Sequence, residues 1–316
     1  MQNVWILSNL EDCSYENKRL LESFKNKNIN AKLVDSSLFD IIVNKDIKSG
    51  IVYNGKVVDL PDLFLVRYGA GISKFLLALI RQMEKAGVIC INSSESIECV
   101  KDKLHTSQIL SSQGIPIPTT MAIRFPVNPS VVTREIGYPC VVKIVTGSYG
   151  EGVYLVKTEK EFKEIIEFIQ ILDTSKTLLV QEYMGERPGE DLRVLVVGGK
   201  VIGAMKRSAP PGDFRANISN GGVGESFELT DEIEYIARET SKVLNLDIAG
   251  VDLLFDKFGF RVCEANSNPG FNGFEKYCNV DVADIITEYT KFRLNIHWIN
   301  KNNYIRKIFS VTKRGV

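Results

Sequence analysis

Toward the N-terminus the apolar positions fall into short runs separated by amphipathic stretches. Val4–Leu7, Ala31–Val34, Leu63–Val66 and Val88–Ile91 read as strands, the first of them a buried one. Tyr15–Asn28 reads as a lysine-rich helix. Ser73–Ala86 reads as a second, with Leu76, Leu79, Ile80 and Met83 on one face and Gly87 closing it. Alternation of this kind predicts a small parallel α/β layer.

Gln113-Gly-Ile-Pro-Ile-Pro118 breaks the pattern, and a new unit follows. It holds strands Cys140–Val145 and Val153–Val156, helix Glu159–Leu172 and strand Leu178–Tyr183. A hairpin spans Leu192 to Met205 and turns at Gly198-Gly199. Helix Asp231–Leu244 precedes a last hairpin, Val251–Phe255 with Phe260–Glu264. After Ile296 no periodicity is visible, which predicts a poorly ordered tail. No internal repeat or low-complexity tract is present.

Composition narrows the class. The 316 residues, 44% of them hydrophobic, suit a globular protein with a substantial core and two domains or one with clear subdivisions. Net charge is zero, so the overall balance gives no sign of a nucleic-acid or membrane partner. The C-terminus is locally basic: no acidic residue follows Glu288, whereas Lys291, Arg293, Lys301, Arg306, Lys307, Lys313 and Arg314 do. The six cysteines form no C-x-x-C pair, and several sit in apolar runs, as buried reduced thiols do. With no signal peptide and no run of membrane-spanning length, a cytoplasmic location is expected. Two histidines are too few for a histidine-based metal site.

Three segments carry candidate chemistry. In the last hairpin, a three-residue loop Lys257-Phe258-Gly259 would pair Asp256 with Phe260 and Asp252 with Glu264. Paired residues share a face, and alternation turns Asn266 the same way. Two carboxylates and an amide oxygen are hard ligands suited to magnesium held jointly with phosphates. The competing reading is an ordinary acidic, solvated sheet face, against which the flanking apolar residues argue. The second segment is Lys143 in an apolar strand, followed by a loop with Gly147, Gly150 and Gly152. Such a loop lets backbone N–H groups approach phosphates while the lysine adds charge, although glycine-rich hairpins are also common without that role. It is not a Walker motif, since no Gly-Lys-Ser/Thr ends it. The third is Asp191-Leu-Arg193. A two-residue turn at Gly198-Gly199 would place Asp191 opposite Lys206 and Arg193 opposite Ala204, so that Asp191, Arg193 and Lys206 share one face. A surface salt-bridge ladder would look the same. Arg207, Arg215 and Asn217 then border a long polar segment around Pro210-Pro211-Gly212-Asp213 and Gly221-Gly222.

Taken in order, Lys103, Lys143 with its glycine loop, Gln181-Glu182-Tyr183-Met184, Asp191-Leu-Arg193, Asp213-Phe-Arg215-Ala-Asn217, Gly221-Gly222, Gly250-Val-Asp252 and Glu264-Ala-Asn-Ser-Asn-Pro-Gly270 resemble the ATP-grasp superfamily. Within it they resemble the RimK-type ligases, which attach glutamate to a protein, peptide or small-molecule carboxylate. The match runs to about residue 293, and Pro61-Asp-Leu-Phe-Leu-Val-Arg67-Tyr-Gly69 is similar to that family's first domain. Val4-Trp5-Ile6-Leu7, Cys263-Glu-Ala-Asn266 and Cys278-Asn-Val-Asp-Val282 are similar to the animal enzymes that make N-acetylaspartylglutamate and citrylglutamate. Asn268-Pro-Gly-Phe271 and Gly212-Asp-Phe-Arg215 look more like the bacterial branch.

The resemblance implies an α/β (α+β) fold, with a Rossmann-like pre-ATP-grasp domain over 1–95 and a two-lobed ATP-grasp fold over 96–185 and 186–295, then a basic tail over 296–316. It implies Lys103 and Lys143 on ATP phosphates, the Gln181–Met184 backbone on adenine with Glu182 at the amino group, and Asp191 near the ribose. Asp252, Glu264 and Asn266 would hold two magnesium or manganese ions, with Arg193, Lys206, Arg207, Arg215 and Asn217 along the path of the phosphoryl group and the acidic substrates. ATP phosphorylates a carboxylate in such a reaction, and an amine displaces the phosphate. The expected partners are ATP, an amino acid, foremost glutamate, and a carboxylate acceptor; homo-oligomerisation is compatible with all of this. A ligase that modifies or cyclises a ribosomal precursor peptide and a non-catalytic nucleotide-binding regulator remain open alternatives.

Overall fold

The computed structural model describes all residues except 1, 10–13, 46–49, 70, 145–151, 176, 215, 217–220 and 313–316, and the side chains of 144 and 300–312 also lie outside it. In chain order the first elements are β1 (Asn3–Ser8), α1 (Tyr15–Asn26), β2 (Asn30–Asp35), β3 (Phe39–Ile41), β4 (Ile51–Tyr53), β5 (Lys56–Val57), β6 (Leu63–Val66), α2 (Lys74–Lys85) and β7 (Ile89–Ile91). Next come α3 (Ser94–Lys101), α4 (Lys103–Ser112), β8 (Thr120–Ile123), α5 (Pro129–Glu135), β9 (Cys140–Ile144), β10 (Val153–Val156), α6 (Glu159–Leu172) and β11 (Leu178–Glu182). The chain continues through β12 (Glu190–Val197), β13 (Lys200–Ser208), β14 (Val223–Phe227), α7 (Asp231–Val243), β15 (Ile248–Asp256), β16 (Gly259–Asn266), α8 (Asn272–Cys278) and α9 (Val282–Thr312). Two compact units result. One comprises Met1–Tyr68, Ser73–Ser94 and Asp281–Val316, the other Gly69–Ile72 and Glu95–Val280.

The first unit is built on the parallel sheet β2-β1-β6-β7, as the alternating pattern predicts. Val4, Ile6, Leu7 and Leu63–Val66 are all buried, which explains why these strands are uniformly apolar. Ser14 and Ser73 start α1 and α2 by accepting the N–H groups of Asn17 and Leu76. Leu76, Leu79, Ile80 and Met83 of α2 are buried. The small antiparallel sheet β3-β4-β5 is an addition that strands of two or three residues hide from any periodicity. It packs Phe39 and Tyr53 (ring centroids 4.7 Å apart) beside Trp5.

The expected tail is corrected here. Instead of losing regular structure after Ile296, the chain continues α9 to Thr312. The helix is anchored upstream, where Ala283, Ile286 and Leu294 are buried, Lys27 pairs with Asp284 and Glu288, and Arg19 pairs with Asp281. A helix nucleated by packing propagates at one hydrogen bond per residue without needing an apolar stripe of its own. Among the described residues no helix is long and apolar enough to cross a membrane.

The second unit has two antiparallel sheets. In β10-β9-β11-β8 one face packs Val142 and Val180 against Phe162, Ile166 and Ile169 of α6, which Thr158 caps. In β14-β13-β12-β15-β16, Leu192, Val194, Val196, Val251 and Leu253 face Ile233, Ile236 and Ala237 of α7. Burying that face leaves the alternate positions of the same strands, Asp191, Arg193 and Asp252, on the other one. Three cysteines, Cys90, Cys99 and Cys140, are buried free thiols, whereas Cys263 and Cys278 are partly buried; Cys13 lies outside the described residues.

Candidate active site

The site grows from two hairpins. In β15–β16 the turn is tighter than expected: Asp256 pairs with Gly259, so the loop is Lys257-Phe258 alone. A bulge between Asp252 and Leu253 then takes up one extra residue, Cys263, and Asp252 pairs with Glu264 after all. Asn266 pairs with Gly250, and its Nδ2 lies 3.4 Å from Glu264 Oε1.

In β12–β13 the two-residue turn is as expected, with Val197 paired to Lys200. A bulge between Leu195 and Val196 shifts everything beyond it by one residue. Asp191 therefore pairs with Arg207, Leu192 with Lys206 and Arg193 with Met205. This corrects the expected facing of Asp191 with Lys206 and of Arg193 with Ala204. Lys206 belongs to the opposite face and is held by Glu190 (3.3 Å) and Glu225 (2.5 Å).

Arg207 takes the vacated place. Its Nε and Nη2 donate to both oxygens of Asp191 at 2.7 and 2.6 Å, and Nη2 also reaches Asp252 Oδ2 at 3.0 Å. Arg193 grips Asp252 at two points, Nε on Oδ1 and Nη2 on Oδ2, the latter at 2.8 Å. Asp252 is 4% exposed and Arg207 5%, so these are desolvated pairs whose charges depend on one another. Burial alone pulls the Arg207 guanidinium down, but Asp252 and Asp191 outweigh it and the net shift is upward. Burial pushes the Asp191 carboxyl up against the pull of Arg207. The two-point contact has the fork geometry of a guanidinium–carboxylate pair.

Around the second hairpin, Lys103 lies 3.1 Å from Glu264 Oε2 and is shifted upward by that carboxylate. Burial would raise Glu264, but Lys103, Lys143 and Arg193 hold it down at about 2, so it is ionised at neutral pH. Lys143 donates to Gln181 Oε1 at 2.6 Å and lies 3.7 Å from Cys263 Sγ. Burial pushes the Cys263 thiol up. Among the described residues Lys103, Lys143, Arg193 and Arg207 thus gather around Asp191, Asp252 and Glu264, four cations to three carboxylates. An anion would balance them.

Glu182 ends β11 with its carboxylate on Thr119 and Arg261; Tyr183 and Met184 follow, half-buried. Gly152 has φ 70°, a left-handed position suited to glycine. Gly147, Gly150, Arg215 and Asn217 lie outside the described residues. Thr119, Arg261 and Cys263 are site neighbours that the sequence reading did not single out. Arg261 precedes Glu264 by three residues, an odd spacing that strand alternation assigns to the opposite face; only the bulge at Cys263 brings both to one side.

The donor set can be tested against a divalent cation. Among the described residues no group of three or more His, Cys, Asp or Glu side chains is arranged to hold a metal ion. Asp252 and Glu264 nevertheless supply ionised, hard oxygens on paired positions, with the Asn266 amide beside them. Arg193, Arg207 and Lys103 cover those oxygens in this conformation. The chemistry of the donors fits magnesium.

Comparison with known proteins shows the family and the fold. The RimK-like ATP-grasp domain family matches residues 100–290, and the RimK PreATP-grasp domain family matches residues 2–97. A relative from Aeromonas salmonicida (strain A449) named probable alpha-L-glutamate ligase is 36% identical over 285 residues, covering 90% of this chain and 94% of that protein. Among solved structures, a RimK domain ATP-grasp protein from Sphaerobacter thermophilus superposes with a TM-score of 0.71 at 20% identity, covering 91% of this chain and 98% of that one. The ATP-grasp ligase PsnB, complexed with a phosphomimetic variant of its minimal precursor, Mg and ADP, superposes with a TM-score of 0.72 at 19% identity, covering 94% and 99%.

Proposed function

The chain belongs to the RimK-like ATP-grasp family, and on that premise we propose that it is an ATP-dependent ligase joining the amino group of glutamate to a carboxylate acceptor. The observation that carries the reading is the cluster of Arg193, Arg207, Lys103 and Lys143 around ionised carboxylates on two bulged hairpins.

A carboxylate is a poor electrophile, and ATP activates it as an acyl phosphate. Two anions must approach each other for that step, so cations already gathered at the site lower its barrier. Lys103 and Lys143 are assigned to the nucleotide phosphates, and Arg193 and Arg207 to the transferred phosphoryl group. Asp191 orients Arg207 through its two-point contact. The backbone of Gln181–Met184 is assigned to adenine. Asp252, Glu264 and Asn266 would hold two magnesium or manganese ions, which supply positive charge to the phosphate oxygens when bound. Arg215 and Asn217 are assigned to the acidic substrate: glutamate brings two carboxylates to an already anionic centre, and planar guanidinium groups suit it. The acceptor is a carboxylate of a protein, a peptide or a small molecule.

The test offers glutamate, aspartate, glutamine and lysine as amine donors with a panel of acidic acceptors, read by phosphate release and product mass. Phosphate release that requires both a carboxylate and glutamate is expected. A preference for lysine or a neutral amino acid would sink the glutamate assignment, and release needing neither substrate would sink the ligase reading.

A further inference from the structure

Glu182 is held unevenly. Its Oε2 accepts the Thr119 backbone N–H at 3.1 Å, the Thr119 hydroxyl at 3.0 Å and Nη1 of Arg261 at 3.4 Å. Among the described residues no hydrogen bond reaches Oε1. Arg261 is fixed in turn: its Nε donates to Asp256 Oδ2 at 2.7 Å, and Nη1 lies 3.3 Å from the Ile117 carbonyl. One guanidinium therefore ties the β15–β16 hairpin, the segment before β8 and the last residue of β11. As an ion pair the contact to Glu182 is partly exposed and adds little stability. Its consequence is orientation: three donors on one oxygen stop the carboxylate from turning.

We propose that Arg261, together with Thr119, is a positioning residue that sets nucleobase choice by holding Glu182 as a fixed acceptor. This rests on the assignment of adenine to Gln181–Met184. An ionised carboxylate can only accept. The exocyclic amino group of adenine donates, so Oε1 can receive it. Guanine presents a carbonyl oxygen at that place, and two acceptors facing each other in a half-buried site are unpaired. Arg261 also precedes the metal-assigned Glu264 on β16, so the strand that orients the base reader is the strand that carries the phosphate chemistry.

The experiment compares ATP with GTP in wild type, Arg261→Met, Arg261→Lys, Thr119→Val and Asp256→Asn, using kcat/KM from phosphate release and nucleotide affinity from calorimetry. Arg261→Met should lower the ATP-to-GTP ratio by about tenfold, through KM for ATP, with kcat changed by no more than about twofold. Lysine should restore part of the ratio, and Thr119→Val should lower it further when combined with Arg261→Met. Asp256→Asn keeps an oxygen that can accept from Arg261 Nε and should lower the ratio by less than Arg261→Met does, although its melting temperature falls. Equal losses for both nucleotides in Arg261→Met, or a ratio shift in Asp256→Asn as large as in Arg261→Met, would overturn the proposal. Calorimetry keeps the two readings apart. If the wild type binds ATP over GTP yet never couples phosphate release to glutamate and a carboxylate, the ligase reading fails and the role of Arg261 is still decided.

Discussion

The β12–β13 and β15–β16 hairpins each contain one bulge, but at different distances from their turns. In β12–β13 it follows the second pair, so the whole functional length of the strand is carried one residue along. In β15–β16 it lies beside Asp252 itself and puts Cys263 and Glu264 on the same side as successive residues. A bulge near the turn decides which residue enters the site, here Arg207 in place of Lys206. A bulge at the site decides how densely polar side chains can gather there. The first bulge builds a desolvated pair of two-point contacts, the second a more open lysine–glutamate contact. The two hairpins should therefore respond differently to substitution.

Asp252→Ala should have the largest effect, removing turnover and destabilising the fold by about 3–5 kcal/mol, because Arg193 and Arg207 lose a buried counter-charge. Glu264→Ala should cut turnover at least about a hundredfold with little change in stability, since its edge meets solvent. Phosphate-release assays and urea unfolding of both variants check this; equal stability losses would erase the distinction. Within β13, Arg207→Ala should cost about a hundredfold in kcat, whereas Lys206→Ala should stay within about threefold. The opposite order would mean that the bulge does not set the working register. Lys143→Met should weaken ATP binding by about tenfold in calorimetry, and an unchanged affinity would remove Lys143 from the phosphates. The smallest effect belongs to Asp256. The hydrogen bond from Arg261 holds its carboxyl below the ordinary value. Its stabilising contribution is thus complete above the ordinary carboxylate range and is lost as pH falls through the lowered value. Asp256→Asn should flatten that acid limb in thermal melts, and an unaltered limb would show that the pair contributes nothing.

The buried strands and α2 were legible because burial on both faces, or on one helical stripe, leaves its mark in every residue. The pairing of Asp252 with Glu264 was also legible, but by cancellation: the turn is one residue shorter than expected and the bulge at Cys263 restores the count. No residue type announces that bulge. The one in β12–β13 did leave a trace. Gly203 interrupts its strand beside the bulge, where a Cβ would come within 3.0 Å of the Phe274 ring. Without that clue Lys206 and Arg207 cannot be told apart by alternation. Thr119 and Arg261 escaped because each meets Glu182 across separate elements, a proximity that no local pattern encodes.

The return of α9 to the first unit bears on how the protein is made. The second unit is almost entirely the continuous stretch from Glu95 to Val280, so all of it is translated before Asp281 is added. The N-terminal part of the first unit has been translated by then, yet the partners of Lys27 and Arg19, which are Asp284, Glu288 and Asp281, do not exist until the second unit is complete in sequence. Domains generally mature in the order of translation. Here the nascent N-terminal sheet waits, with the surface of α1 that faces α9 uncovered, for a helix that is translated only after the whole second unit. A chain released at Val280 would hold the complete sequence of the second unit and an unfinished first one, and that exposed surface is where a chaperone would find the chain.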